Sequence, residues 1–344
     1  MKVTINDVAR EAGVSKSTVS RVLSNNERIS QETKDKVNEV IERLGYKPNL
    51  IARNLAKSKT RTLGVVLPTE ATDYFSNPIY TQIMQGISTF AKENNYYIMY
   101  AFCKEKSEEE NIREFSSTGV VDGIIMLKSE ENDKTMNYLN KKKFPFVVIG
   151  RPSEEKSVLW VDNDNVKSTY KLTNELFENN FKKIAFISAK ESWIVSKDRL
   201  KGYKKALESH LVKYDTNLIY QGDSFTETAG YEGIKCILEK EDPEVIITTD
   251  DLLALGVNRY LKEINNINYN NKIIIGYNNT ALAAYQQPGL SSVEIYGEKL
   301  GYEASKILIN SIEGNGKRGN YKVIETKLIK RGIYLQKRLK ERKK

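Results

Sequence analysis

Four side chains near the N-terminus, Lys16, Ser17, Thr18 and Arg21, combine hydrogen-bond donors and acceptors without forming a block of charge. On one exposed helix face, such groups suit the donor and acceptor pattern of base edges in the major groove of DNA. Other chemistry is thinly supplied. His210 is the only histidine, and the two cysteines, Cys103 and Cys236, lie far apart with no CxxC. There is no P-loop, HExxH or GxSxG, so no catalytic residue, metal ligand set or cofactor site is expected. Gly314-x-Gly316-x-x-Gly319 has dinucleotide-loop spacing, but it follows an amphipathic helix rather than a strand and reads as a loop.

The elements that must position the four residues are legible. Thr4-Ile5-Asn6-Asp7 reads as a capped helix start, continued by Val8, Ala9 and Ala12. Gly13 interrupts, and Ser15 caps a second helix from about Lys16 to Leu23 with Val19, Val22 and Leu23 facing inward. Asn25-Asn26-Glu27-Arg28 is a polar loop. Ser30 caps a third helix with Val37, Val40, Ile41 and Leu44 at helical spacing and Gly45 at its end. Two short helices about a Gly-containing turn, backed by a third, describe a helix-turn-helix, whose second helix enters the major groove. A small three-helix bundle with an ordinary polar face is the plainer alternative.

Charge agrees with a nucleic-acid partner at the front. The 344-residue chain carries +9 overall; residues 1–61 hold 13 basic and 7 acidic side chains, or +6. The last eight residues, 337–344, carry +5 and read as a solvated tail, while residues 62–336 are nearly balanced at −2. No apolar run approaches the ~20 residues needed to span a bilayer, and no secretory signal is seen at the start, so no membrane contact and a cytoplasmic location are expected.

The run Thr4-Ile5-x-Asp7-Val8-Ala9-x-x-Ala12-Gly13-Val14-Ser15-x-x-Thr18-Val19-Ser20-Arg21-Val22-Leu23 closely resembles the DNA-binding domain of the LacI/GalR (lactose-repressor) family. The similarity continues through Arg43-Leu44-Gly45-Tyr46-x-Pro48-Asn49 and Ala52-Arg53-x-Leu55-Ala56. The resemblance implies base reading by Lys16, Ser17 and Arg21, within a DNA-contacting set that also takes in Thr4, Ser15, Thr18, Asn25, Tyr46, Asn49, Ala52, Arg53 and Leu55. Residues 48–61 then form a hinge helix and linker. Their apolar character, with Leu50, Ile51, Leu55 and Ala56, does not suit a merely flexible spacer. The alternative is packing on a neighbouring domain. By resemblance Leu55 wedges between base steps in the minor groove, two hinge helices pairing over a palindromic duplex operator.

From Thr62 onward apolar runs suited to buried strands (63–67, 97–102, 123–127, 146–149, 184–187, 245–248, 272–276) alternate with amphipathic helical stretches (79–94, 166–179, 199–210, 228–238, 252–264). That alternation implies parallel sheets covered on both faces, and about 270 residues suggest two of them. The region looks like a periplasmic sugar-binding fold. The expected architecture is an all-α helix-turn-helix domain (1–47) plus an α/β two-lobed effector and dimerisation domain (62–336). Lobe 1 would hold about 62–161 and 291–322, and lobe 2 about 162–290 and 323–336. Ser291–Ile295 would be a crossing strand and 297–312 a helix returning to lobe 1.

Ligands in such sheets bind beyond the carboxyl ends of strands. The candidates are Phe75, Asn77, Arg151, Trp160 at the lobe crossing, Arg199 opening the helix of an Arg-x-x-Gly-Tyr motif, Phe225, Asp250 and Asn278. By the resemblance these match effector-touching positions; the types suit a small-molecule sugar, whose hydroxyls need charged and amide partners and whose C–H faces need aromatic rings. Arg199 could instead pair with a nearby acid, and Trp160 could be core or dimer packing. Asp251 is assigned to capping the next helix and Asp250 to the cleft.

The resulting reading is a homodimeric transcriptional repressor of carbohydrate genes, inclined toward the maltose-operon-repressor subgroup with maltose or a maltodextrin as effector. The runner-up is a global carbon-catabolite regulator controlled by a phosphoprotein co-repressor. A transport protein and an enzyme on this fold are disfavoured.

Overall fold

The computed structural model describes residues 3–46, 59–67, 76–102, 107–153, 155–264, 272–316 and 320–334. The chain divides into two compact units, Met1–Thr60 and Arg61–Lys344.

The first unit is built from α1 (Ile5–Glu11), α2 (Lys16–Leu23) and α3 (Gln31–Leu44). Thr4 and Asp7 form a reciprocal capping box at α1, so two otherwise orphaned backbone donors are satisfied. Gly13 turns the chain at φ +62°, a left-handed conformation that glycine adopts without steric cost. Ser15 then caps α2 by accepting from the Thr18 amide at 3.1 Å, and Ser30 caps α3. Val8, Ala12, Val19 and Val37 are fully buried where the three helices meet.

The second unit holds two six-stranded sheets. The first contains β1 (Thr62–Leu67), β2 (Tyr97–Phe102), β3 (Gly123–Met126), β4 (Phe146–Ile149), β5 (Leu159–Asn163) and β11 (Tyr321–Ile324), in the order β11-β5-β4-β3-β1-β2, every pairing parallel. The second contains β6 (Ile184–Ser188), β7 (Ile219–Gln221), β8 (Val245–Thr248), β9 (Ile273–Tyr277), β10 (Ser291–Glu294) and β12 (Lys327–Ile329), in the order β12-β10-β9-β8-β6-β7. Only the β10–β12 pairing there is antiparallel. Strands β3, β4, β6, β8 and β9 are buried along their whole length, which is why they read as unbroken apolar runs. Helices α4 (Pro78–Glu93), α5 (Glu108–Thr118), α6 (Lys134–Lys142) and α12 (Gly297–Ile312) belong with the first sheet. Helices α7 (Asn165–Glu178), α8 (Ile194–Ser209), α9 (Glu227–Leu238), α10 (Asp251–Glu263) and the short α11 (Ala281–Ala284) belong with the second.

The lobe boundaries differ from those expected. Residues 291–294 hydrogen-bond to β9 and β12, so the second crossing comes after Glu294 and not near 290. β11 pairs with β5, so residues 323–324 stay in the first lobe and the third crossing falls at 325–326. β5 likewise carries the first lobe through Asn163. Asn163 is buried, and its side-chain amide donates to the carbonyls of Ile295 at 3.1 Å and Ile324 at 2.9 Å. One amide thus joins all three crossings. The hinge helix expected within 48–61, the basic tail at 337–344 and the close of the 314–319 glycine loop lie outside the described residues, apart from 59–61 and 314–316.

Candidate DNA-reading helix and effector cleft

α2 presents Lys16, Ser17 and Arg21 to solvent and keeps Thr18 half-buried, with Val19 and Val22 turned inward. Among the described residues neither the Lys16 nor the Arg21 side chain has an ion-pair partner, so both keep their donors for an external acceptor. Ser15 is committed locally, its hydroxyl bonded to Ser17 at 2.7 Å and Thr18 at 2.8 Å. Thr4 is exposed, but its hydroxyl donates to Asp7 at 2.7 Å. Asn25 sits at φ 50° and accepts from Lys34 at 3.1 Å. Tyr46 is half-buried on the helical core. Asn49, Ala52, Arg53 and Leu55 lie outside the described residues.

In the second unit, the loops after the strands enclose a cavity of about 130 Å³ between the lobes. Asn77, Arg151, Arg199, Phe225, Asp250 and Asn278 all line it. Phe75 lies outside the described residues. Trp160, expected at the cleft from its place near the crossing, is turned away from it. It is buried in the core beneath α5 and α6 and stacks on Tyr321 at 4.7 Å and 8°. Strand alternation explains this: its neighbours Leu159 and Val161 point to the opposite core.

Arg199 does not open its helix, which begins at Ile194; it sits on the second turn of α8. Gly202 puts it there, since a Cβ at that position would lie 2.3 Å from the Val166 carbonyl oxygen. The close approach of α8 to α7 lets the Arg199 Nε donate to Asn165 Oδ1 at 2.9 Å while Nη1 donates to the Thr249 carbonyl at 2.6 Å. The guanidinium lies over the Tyr277 ring at 4.0 Å. Burial pulls its pKa down.

Asp250 combines two roles that had been divided. It is the N-cap of α10, accepting from the Leu252 amide at 2.7 Å, and it also faces the cavity. Its Oδ2 accepts from Asn278 at 2.7 Å and from Asn77 at 2.9 Å, the latter reaching over from the first lobe. Asp251 is instead buried behind it, accepting from Ser292 and Thr280. Asp162, not anticipated from the sequence, also lines the cavity and accepts from the Arg151 amide at 2.9 Å and from Asn165. Burial raises the pKa of Asp162 and Asp250 to about 6 and of Asp251 to about 7, from an ordinary 3.8. Arg151 spends its guanidinium on Asp198 and Glu155. Trp193, also unanticipated, lines the cavity with its ring 5.1 Å from that of Phe225. A loop residue of this kind has no periodic signal to reveal its direction. The cavity therefore offers carboxylate and amide acceptors, one buried guanidinium and two adjacent aromatic rings, a lining suited to a hydroxyl-rich guest with an apolar face.

Comparisons with known proteins agree with this division. Residues 4–49 match the model for bacterial regulatory proteins of the lacI family, and residues 60–332 match that for periplasmic binding proteins and the sugar binding domain of the LacI family. The chain is 41% identical to the HTH-type transcriptional regulator MalR of Streptococcus pneumoniae over 264 residues, 76% of this chain and 80% of that one. It is 34% identical to catabolite control protein A of Staphylococcus xylosus over 85% of this chain and 87% of that one. Among solved structures, a transcriptional regulator CelR–cellobiose complex superposes with a TM-score of 0.75 at 28% identity, covering 96% of this chain and 99% of that one. No described helix is long and apolar enough to cross a membrane. A helix-turn-helix with an open reading face, joined to a two-lobed acceptor-rich cleft, thus has its place among known regulators: the chain belongs to the LacI family of bacterial DNA-binding transcriptional regulators.

Proposed function

We propose that this regulator is a cytoplasmic homodimeric repressor of carbohydrate-utilisation genes that holds a palindromic duplex operator through α2, and that maltose or a short maltodextrin in the interlobe cleft sets how tightly it does so. The observation that carries the effector reading is the convergence of Asn77, Arg199, Asp250 and Asn278 on one cavity beside Trp193 and Phe225. The similarity to MalR supports maltose in particular. Lys16, Ser17 and Arg21 read bases, and Leu55 wedges the minor groove from the hinge helix. A sugar that prefers one lobe arrangement shifts the population toward it and so changes operator affinity.

A second copy of the chain has a surface to meet. Edge strand β2 exposes Tyr97, Met99 and Phe102, an apolar edge of the kind that soluble proteins cover. The relation to catabolite control protein A gives the second reading, in which a phosphoprotein partner replaces the sugar as the controlling ligand. Titration of operator fragments, by fluorescence anisotropy, separates the two: maltose alters affinity in the first reading and the phosphoprotein alone does so in the second. Leu55→Ala reduces operator bending if the wedge is in place.

A further inference from the structure

The two lobes touch through an isolated antiparallel bridge between Glu130, in the loop after β3, and Trp193, in the loop before α8. The Ile194 amide donates to the Ser129 carbonyl at 3.1 Å and the Glu131 amide to the Ser192 carbonyl at 3.3 Å. In the same place the Trp193 indole Nε1 donates to Glu130 Oε1 at 3.0 Å. That oxygen also accepts from Lys128 at 3.0 Å, and Lys128 is paired at 2.9 Å with Glu108 at the start of α5. A ring on the cavity wall of one lobe is therefore aimed by a charged chain belonging to the other.

We infer that Glu130 is a positioning residue that fixes the Trp193 ring, beside Phe225, as the stacking face for a pyranose ring, so that this face is presented only when the lobes are together. The inference rests on the sugar reading of the cleft. Its physical basis is simple. Indole has one N–H donor, and in this structure the donor is spent across the interlobe gap. With the lobes apart this acceptor is withdrawn from the indole, and the ring regains its rotamers. Aromatic faces bind the C–H surface of a sugar only when they are held in register with it. Glu130 thus contributes to affinity without touching the guest.

The test uses the full-length protein. Trp160 and Trp193 are the only tryptophans, so W160F leaves Trp193 as the sole indole emitter. Without sugar, E130A should increase acrylamide quenching of Trp193 about twofold, and E130Q, whose amide oxygen still accepts from the indole, should restore the parent value. If W160F does not fold, subtracting the W193F signal from that of the native protein reads the same quantity. With maltose, calorimetry should show E130A binding roughly tenfold weaker and E130Q near parent, with E130A adding little once W193F is present. Unchanged quenching in E130A, or fully additive losses of affinity, overturns the inference while leaving the sugar reading intact. If the parent protein binds no sugar at all, the sugar reading falls and the stacking role with it, whatever the quenching shows.

Discussion

Arg151 of the first lobe and Asp198 of the second form a two-point ion pair over the cleft, Nε to Oδ2 at 3.0 Å and Nη2 to Oδ1 at 2.7 Å. Asp198 is nearly buried while Arg151 remains about one-third exposed, so the pair is partly shielded from solvent. With the Asn77–Asp250 bond, the Lys197–Glu131 ion pair and the Glu130–Trp193 bridge, it ties the two lobes to each other. Breaking it tests how far closure depends on charge. Asp198→Asn should lower unfolding stability by about 1 kcal/mol, given the partial exposure, and enlarge the sugar-free particle in small-angle X-ray scattering. An unchanged radius of gyration would mean that the remaining interlobe bonds suffice.

Arg199 is a buried cation whose charge acts on both Asp162 and Asp250, and its loss should be felt in both stability and response. Arg199→Ala is expected to cost about 3 kcal/mol in denaturant unfolding and to abolish the sugar effect on operator binding, while sugar-free operator affinity persists. Anisotropy titrations with and without maltose read the second outcome directly.

Gly202→Ala approaches the same residue through the backbone. The added methyl meets the Val166 carbonyl, so α8 must move from α7. A loss of about 1–3 kcal/mol is expected, with weaker sugar binding because Arg199 moves with its helix. Gly45→Ala at the end of α3, where nothing crowds a Cβ but φ is +61°, should cost less and leave sugar binding alone.

Stability should rise as pH falls from 7.5 toward 5. Asp162, Asp250 and Asp251 take up protons in the folded state near pH 6 to 7, whereas their unfolded counterparts do so only near 3.8. The folded state therefore binds more protons across that window. The stabilisation is full below the unfolded value and is lost as pH rises through the folded one, at up to about 1.4 kcal/mol per pH unit for each group. Asp251→Asn should flatten the upper part of the slope in chemical denaturation; a slope unaltered by this substitution would place the titration elsewhere.

On the DNA side, Arg21→Ala should cost about 1–3 kcal/mol on operator and much less on random duplex at the same salt. Equal losses on both would assign Arg21 to phosphate contact.

Much of this architecture could be read from residue order because the signals were local. Ser15, Val19 and Val22 bound α2 without help from distant contacts, and the all-apolar strands declare themselves. Asn77, Arg151, Asp250 and Asn278 were findable because they follow strand ends. The misplaced crossing has a physical cause: β10 reads Ser-Ser-Val-Glu, yet Ser291 and Ser292 are buried, Ser292 bonding to Asp251. The strand itself is legible in the sequence, but with polar inward side chains nothing in its pattern says which of the two sheets it joins. The capping role expected of Asp251 falls to Asp250 because either can cap a helix, and only the packing of β10 against Asp251 decides between them. Trp160 and Trp193 show the same limit, since the direction of a ring depends on strand parity in one case and on an acceptor 63 residues away in the other.

The amide of Asn163 binds the second and third chain passages from the first, so none of the three can shift without the others. The three passages of the effector module are thereby stitched together at one buried point, as pages are at a spine. A pull on any one of these passages is therefore felt by the other two through a single side chain.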